Sequence, residues 1–174
     1  MSYKKFKKEL NKIDNEEIKD FTIEVLKKLP DYYWTAEFEN EFYEHNDSKL
    51  EITFVDHAKR LVGILEELLK LYNPNPILKD ILISAALLHD GMYYGEDGLK
   101  YDEFHPLRIR GLIEDNDLHT EIKYPVYKGI MKAIEGHMGE SSVNPNIKAK
   151  AGNPEYIFHE ADYLASIDLY ERSK

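Results

Sequence analysis

The sequence predicts an all-α fold in which helices pack as a compact bundle. Apolar residues recur at the three- and four-residue spacing of amphipathic helices, whereas the alternation typical of strands is nearly absent. An asparagine cap followed by proline opens a predicted helix at Asn75-Pro76 and again at Asn153-Pro154. The segment after the first pair has almost no polar face, so we expect it at the centre of the bundle.

Length and composition are those of one folded domain. The chain has 174 residues, of which 43% are apolar and 12% aromatic, enough to bury a core without disulfides. It contains no cysteine, so a metal ion would have to be held by histidines and carboxylates rather than by thiolates. We find no internal repeat and expect a single domain over residues 1–174.

Charge argues against nucleic acids as partners, and the lack of a long apolar stretch argues against insertion in a membrane. Acidic residues outnumber basic residues by 33 to 23, giving a net charge of −10, and such a surface repels the phosphates of nucleic acids. The N-terminus lacks the apolar region of a signal peptide, and no stretch approaches the about 20 apolar residues that span a bilayer. We therefore expect a soluble, cytoplasmic protein.

The N-terminal third is predicted to be one helix followed by an irregular segment. Asp14 and Glu17 have the spacing of a capping box, which would open a helix that Pro30 stops. Residues 31–52 are aromatic and acidic without a clear period, so we expect a loop or lid with some helix in it. The apolar stripe of the helix is Ile18, Phe21, Val25, Leu26 and Leu29.

The middle of the chain is predicted to contain two long helices. The first runs from Thr53 to Tyr72 and carries His57 on its apolar stripe of Phe54, Leu61, Leu65 and Leu68. The second runs from Ile77 to His89 and is the expected central helix. Glycines at both ends of residues 91–95 then break it.

Three further helices complete the prediction. One starts at His105-Pro106 and ends near Glu114, and another runs from Pro125 to His137. Residues 139–152 form a polar loop before the last helix, which opens at Asn153-Pro154. In the helix from Pro125 to His137 the inward stripe is Val126, Ile130, Ala133 and Ile134. In the last helix the inward stripe is Phe158, Ala161, Asp162, Ala165 and Leu169.

Six histidines and aspartates recur where these helices begin, turn or end. A lone histidine on an apolar stripe is more often a hydrogen-bonded core residue than a ligand. An aspartate on such a stripe is rarer, because burying an unpaired carboxylate costs several kcal/mol. As a group they favour a metal site, because nitrogen and oxygen ligands would converge from several helices. The six are His57, His89, Asp90, His105, His137 and Asp162.

With their neighbours, these residues resemble the HD superfamily of metal-dependent phosphohydrolases, over roughly residues 53–168. The His-Asp pair alone is a weak signal, and the resemblance rests on an ordered series of strings. It is strongest to small stand-alone HD-domain proteins, which would leave residues 1–52 as an N-terminal helix and a lid. The strings are Val55-Asp56-His57-Ala58, Leu87-Leu88-His89-Asp90-Gly91, His105-Pro106, Gly136-His137-Met138-Gly139 and Ala161-Asp162-Tyr163-Leu164-Ala165-Ser166.

The resemblance implies a binuclear metal site at the centre of an HD-type helical bundle. His57, His89, Asp90 and Asp162 would hold the first ion, and His105 and His137 would add a second that Asp90 bridges. Asp90 and His89 would be catalytic as well as ligating. Two divalent ions per chain are expected, among Mn, Fe, Ni, Co, Mg and Zn.

The implied activity is hydrolysis of a phosphomonoester or phosphodiester through a metal-bound hydroxide, with a nucleotide as the expected small-molecule substrate. Many members of the family carry a phosphate-binding lysine three residues after the aspartate, where this chain has Tyr93. Arg60 and Arg108 each follow a predicted ligand by three residues and are our candidates to bind phosphate in its place, although each is also plausible as a solvated residue.

Three histidines stay outside the predicted ligand set. His159 lies three residues before Asp162, and both a hydrogen bond to a ligand and a place on the surface are consistent with that spacing. His45 and His119 are expected on the surface.

Two other functions remain open at this stage. The same six ligands, loaded with iron, serve mixed-valent di-iron oxygenases within the HD superfamily. A folded HD domain that senses a nucleotide without turnover is the second alternative. Phosphate-binding loops, dinucleotide-binding glycine motifs and nucleophile elbows are absent from the sequence.

Overall fold

Seven α-helices dominate the computed structural model, which describes residues 2–38, 52–72, 74–142, 150 and 152–167. Short 3₁₀ turns link several of them, and within those ranges β pairing is limited to one isolated bridge between Glu37 and Thr53. The predicted all-α fold is confirmed. The helices are α1 (Lys7–Leu10), α2 (Glu16–Leu26), α3 (Phe54–Tyr72), α4 (Pro76–Leu88), α5 (His105–Asp115), α6 (Tyr124–Gly136) and α7 (Pro154–Ser166).

Helix α4 lies at the centre of this arrangement, as the sequence predicts. It packs against α2, α3, α6 and α7, and every residue from Leu82 to Leu88 is buried. The Asn75 side chain accepts a hydrogen bond from the Ile77 amide at 2.9 Å, which confirms the predicted cap. Because α4 ends at Leu88, the first residues beyond it, His89 and Asp90, enter the middle of the bundle.

The predicted capping box at Asp14 and Glu17 is wrong by one residue. Asn15 is the cap of α2, and its Oδ1 accepts from the Ile18 amide at 3.0 Å. Glu17 instead accepts from the Lys123 amide at 2.6 Å. The buried Asp80 carboxylate accepts from the Asn15 amide at 2.8 Å and so fixes where the chain enters the helix. Sequence spacing could not show this tertiary contact.

Part of the predicted lid belongs to the core. Residues Asp31–Trp34 form a 3₁₀ turn in which Tyr33 and Trp34 are buried. The Tyr33 hydroxyl donates to the Leu87 carbonyl at 2.8 Å, which ties this turn to the end of α4. Residues 39–51, including His45, lie outside the described residues, and so do Leu169 and most of the predicted polar loop.

The other predicted helix boundaries agree with the structure to within about two residues. The exception is the end of α2, which lies at Leu26, four residues before Pro30. Leu68 and Val126 on the predicted stripes are half-buried rather than buried. Asn153 precedes α7 as expected, but its side chain makes no capping hydrogen bond. None of the described helices is both long enough and apolar enough to cross a bilayer.

Candidate metal centre

Five helices bring the six predicted ligands to one place. His57 lies in the first turn of α3, and Asp162 lies in the middle of α7. His89 and His137 are the residues that end α4 and α6, and His105 begins α5. Five of the six are buried, while Asp162 keeps 14% of its side chain exposed. Candidate ligands lie at helix ends because a residue that ends a buried helix can reach the core without interrupting the helix.

The first group of donors gathers around Nε2 of His57 and His89, which lie 3.3 Å apart. Asp162 Oδ1 is 2.9 Å from the His57 nitrogen and 3.3 Å from the His89 nitrogen. Asp90 Oδ2 is 3.0 Å from His89 Nε2. Two ligand atoms bound to one ion at about 2.0–2.2 Å lie roughly 3.0–3.5 Å from each other, so this spacing fits a metal.

The second group of donors uses the other oxygen of the same carboxylate. Asp90 Oδ1 is 3.2 Å from His105 Nε2 and 3.7 Å from His137 Nε2. These two nitrogens are 3.3 Å apart. Each group therefore contains an imidazole pair and one oxygen of Asp90. The buried cluster could bind a metal ion, and its two halves share Asp90.

Backbone carbonyls fix the orientation of three of the four imidazoles. The Nδ1–H of His89 donates to Ala86 at 3.1 Å, that of His105 to Asp102 at 2.8 Å and that of His137 to Ile134 at 2.6 Å. In each case the acceptor lies three residues earlier. With the proton held on Nδ1, the Nε2 lone pair points into the cluster, as a metal ligand requires.

His57 is held differently. Its Nδ1 has no hydrogen-bond partner among the described residues, and its ring stacks on Phe38 with centroids 4.2 Å apart and planes within 3°. The ring is thus positioned by packing rather than by a hydrogen bond. Phe38 was not among the predicted site residues, because no spacing in the sequence connects it to α3.

His159 contacts the candidate ligand His137 without joining the cluster. Its Nδ1–H donates to the His137 carbonyl at 2.6 Å, which bears out the first of the two interpretations that its spacing allowed. Gly139 lies against its ring with φ of +60°, and a Cβ there would come within 2.6 Å of His159 Cε1. Glycine is thus required at this position by both backbone conformation and space. His119 is half-buried and packs near Tyr127, away from the ligands.

We expect Gly139→Ala to destabilise the protein by about 1–3 kcal/mol, because the left-handed backbone and the contact with His159 both oppose a side chain. Gly152→Ala is the matched control, since Gly152 has φ of +89° but nothing within 4 Å of the added Cβ. Denaturant unfolding of both variants separates the two causes. If both variants lost the same free energy of unfolding, the contact with His159 would be unimportant.

The two carboxylates of the cluster favour the protonated form of His89 when no metal is bound. Burial alone would lower the pKa of His89, but the Asp90 and Asp162 carboxylates outweigh it and raise that pKa well above its usual range. Burial, aided by the neighbouring His89, lowers the pKa of His137 to about 4. Burial would raise the pKa values of Asp90 and Asp162, but His89 outweighs it together with His105 at Asp90 and with His57 at Asp162, so both pKa values are lowered and both groups are ionised.

Metal binding should therefore release a proton. At pH 7 the metal-free protein holds a proton on His89, which a metal must displace, whereas His137 and both carboxylates have already lost theirs. We expect proton release on metal binding and an affinity for Mn²⁺ that rises with pH up to the pKa of His89. Isothermal titration in buffers of different ionisation enthalpy measures the proton count, and a heat that is independent of buffer would contradict it.

The candidate phosphate ligands are engaged elsewhere. Arg60 donates through Nη2 to the Ile167 carbonyl at 3.0 Å. Arg108 donates through Nε to Asp102 at 2.9 Å and is half exposed. It lines an open cleft of about 700 Å³ that also contains Tyr101, whose ring lies 5.7 Å from that of His105. Whether either arginine contacts a substrate stays a prediction.

Aromatic rings border the cluster, and one of them belongs to Tyr93, where the resemblance would lead one to expect a lysine. Tyr93 is buried, and its ring centroid lies 5.1 Å from that of His105 and 5.9 Å from that of Phe38. Phe158 packs 5.8 Å from His89 on another side. The ligands are thus bordered by apolar surface, which strengthens the attraction between a cation and the carboxylates.

We compared the chain with models of protein families, with curated proteins and with solved structures, and none matched. The resemblance to the HD superfamily thus stays a prediction from the residues quoted above, and the geometry of the cluster carries the functional argument.

Proposed function

We propose that this chain is a metal-dependent phosphohydrolase of the HD type, acting on a phosphomonoester or phosphodiester such as a nucleotide. The observation that supports the proposal best is the Asp90 carboxylate, which presents Oδ2 to His89 and Oδ1 to His105. A carboxylate between two pairs of imidazoles is the arrangement expected for two ions held close together. Such ions, when bound, activate water and neutralise charge on phosphoryl oxygens.

The protein's part in such a reaction is to hold and orient the groups that bind the metal ions. The Nδ1 hydrogen bonds of His89, His105 and His137 keep their Nε2 atoms directed inward. Asp90 and Asp162, ionised before a metal arrives, supply two negative charges to balance divalent cations. The site would thus attract a phosphate despite the net charge of −10, because local cations determine the field inside a cleft.

The aromatic surroundings favour one alternative, the di-iron oxygenase. The described rings of Phe38, Tyr93 and Phe158 border the ligands, while Arg60 and Arg108 donate to other protein groups. A substrate without phosphate would suit such a border better than a nucleotide would. This alternative differs from hydrolysis in the metal that the protein uses and in its consumption of oxygen.

One experiment separates these functions. The purified protein is loaded with Mn²⁺, or with Fe²⁺ without oxygen, and incubated with nucleoside mono-, di- and triphosphates, cyclic dinucleotides and sugar phosphates. Hydrolysis is followed both as phosphate release and as the cleaved nucleotide on chromatography, and activity that is lost in Asp162→Ala but kept in the exposed control Asp115→Ala supports the hydrolase. Oxygen consumption by the iron form without hydrolysis of any of these compounds supports the oxygenase. Tight nucleotide binding without either supports the sensing module.

The two halves of the site should be separable by mutation. We expect His105→Ala and His137→Ala each to lose one of two ions, because the donors of His57, His89, Asp90 and Asp162 remain. Elemental analysis of metal-saturated protein measures the count, with His119→Ala as the control. A wild-type count of one ion would show that the second group binds no metal and that His105 and His137 serve another role.

A further inference from the structure

Asp102 connects the two segments that carry the ligands of the second group. Its amide donates to the Tyr93 carbonyl at 2.9 Å, and Tyr93 follows Asp90 by three residues. Its own carbonyl accepts from both the amide and the Nδ1–H of His105, at 2.9 and 2.8 Å. One residue therefore joins the turn after Asp90 to the imidazole that faces Asp90 Oδ1.

The side chain of Asp102 holds this carbonyl in place. Oδ1 accepts from the Phe104 amide at 2.9 Å, which closes a local turn at the start of α5. Oδ2 accepts from Arg108 Nε at 2.9 Å, which anchors the turn to the same helix one turn further on. Phe104, the formal cap residue of α5, supplies no side-chain cap. The beginning of α5, and with it His105, thus depends on Asp102.

We propose that Asp102, held by Arg108, is a positioning residue that sets His105 against Asp90 and so determines binding of the second metal ion. Arg108 then acts on the site through Asp102 rather than through a phosphate. No contact of Asp102 reaches His57, His89 or Asp162 among the hydrogen bonds of the described residues, so the first group should not depend on it. The proposal rests on the two-ion arrangement of the proposed function, but not on hydrolysis.

The test measures Mn²⁺ binding by isothermal titration, without any substrate. Asp102→Ala should weaken the second ion about 10- to 100-fold, the usual effect of removing a group that orients a ligand, and should leave the first ion unchanged. Asp97→Ala is the matched control. Asp97 closes a similar turn in the same loop by accepting from the Leu99 amide at 3.1 Å, and it is exposed.

Arg108→Ala distinguishes positioning from simple electrostatics. Removing a positive charge near the site should tighten Mn²⁺ binding if only the field matters. If Arg108 positions Asp102, the second ion should instead bind about two- to fivefold more weakly, the scale of one exposed ion pair. Tighter binding in this variant would overturn the proposal.

A second readout follows the imidazole itself. In metal-free wild-type protein the nitrogen chemical shifts of His105 should show a proton fixed on Nδ1, whereas Asp102→Ala should show a mixture of tautomers. If circular dichroism shows Asp102→Ala unfolded, Asp102→Asn replaces it, since the amide oxygen can still accept from Phe104. If the Asp102 variant bound the second ion with wild-type affinity and gave wild-type His105 chemical shifts, the proposal would be contradicted.

The outcome is distinguishable from a failure of the proposed function. A wild-type protein that binds one Mn²⁺ contradicts both the positioning role and the two-ion site. A protein that binds two ions and hydrolyses none of the phosphate esters contradicts only the hydrolase, and the effect of Asp102 on the second ion remains measurable.

Discussion

Asp90→Ala should abolish binding of both metal ions. The carboxylate is buried and offers Oδ2 to His89 at 3.0 Å and Oδ1 to His105 at 3.2 Å, so its loss removes a donor from each group at once. It also removes one of the two negative charges that would balance the cations. His105→Ala should cost one ion only, which makes the aspartate the more damaging of the two changes.

Metal content and thermal stability both report this loss. Elemental analysis should find no bound metal in Asp90→Ala after Mn²⁺ loading. In the wild type, Mn²⁺ at about 100 times its dissociation constant should add about 2.7 kcal/mol of stability, which raises Tm by roughly 5–11 °C for a domain of this size. The variant should show no such rise, whereas Asp115→Ala should behave as wild type. Full metal content in Asp90→Ala would end the bridging assignment.

The second large effect is on the free energy of unfolding. Arg110 donates through Nε to Glu135 Oε1 at 2.6 Å, and the Glu135 side chain is 1% exposed. Arg110→Ala would leave that buried carboxylate without its cation, and breaking such a pair is costly because the charge cannot regain water. We expect a loss of about 2–4 kcal/mol, below the full cost of a buried pair because Arg110 is 35% exposed.

Calorimetry should therefore find Tm lower by roughly 5–15 °C in Arg110→Ala. Lys70→Ala is the control, because the Lys70–Glu67 pair is exposed on both sides and contributes little. The double variant Arg110→Ala with Glu135→Gln should recover part of the loss, since the buried charge is then absent as well. A single variant as stable as Lys70→Ala would show that Glu135 is stabilised by other groups.

The order of the helices and most of the ligands could be predicted from the sequence. The apolar segment after Asn75-Pro76 is predicted to be the central helix, and the structure buries it there together with the polar pair that follows it. The six candidate ligands do meet, with Asp162 at the more exposed edge. The cap of α2 was placed one residue early, because the tertiary contact of Asp80 with the Asn15 amide decides it.

Asp102 shows what local spacing could have added. An aspartate three residues before the first residue of a helix is a common turn-forming pattern, and this one could have been recognised at the sequence level. Its pairing with Arg108 could not, since the same arginine fits equally well on a solvated face or near a phosphate. Phe38 lies in the segment predicted as an aromatic lid, but nothing in the sequence connected it to His57, because its stacking on that ring joins residues far apart in the chain.

The sequence by itself determined that this protein is helical and which six histidines and aspartates are candidates to meet, because helical period and the cost of burying charge act locally. Only the tertiary structure decided that Asp90 divides its two oxygens between two pairs of imidazoles. That division depends on where five helices end in space, and helix packing, rather than the local pattern, fixes those positions.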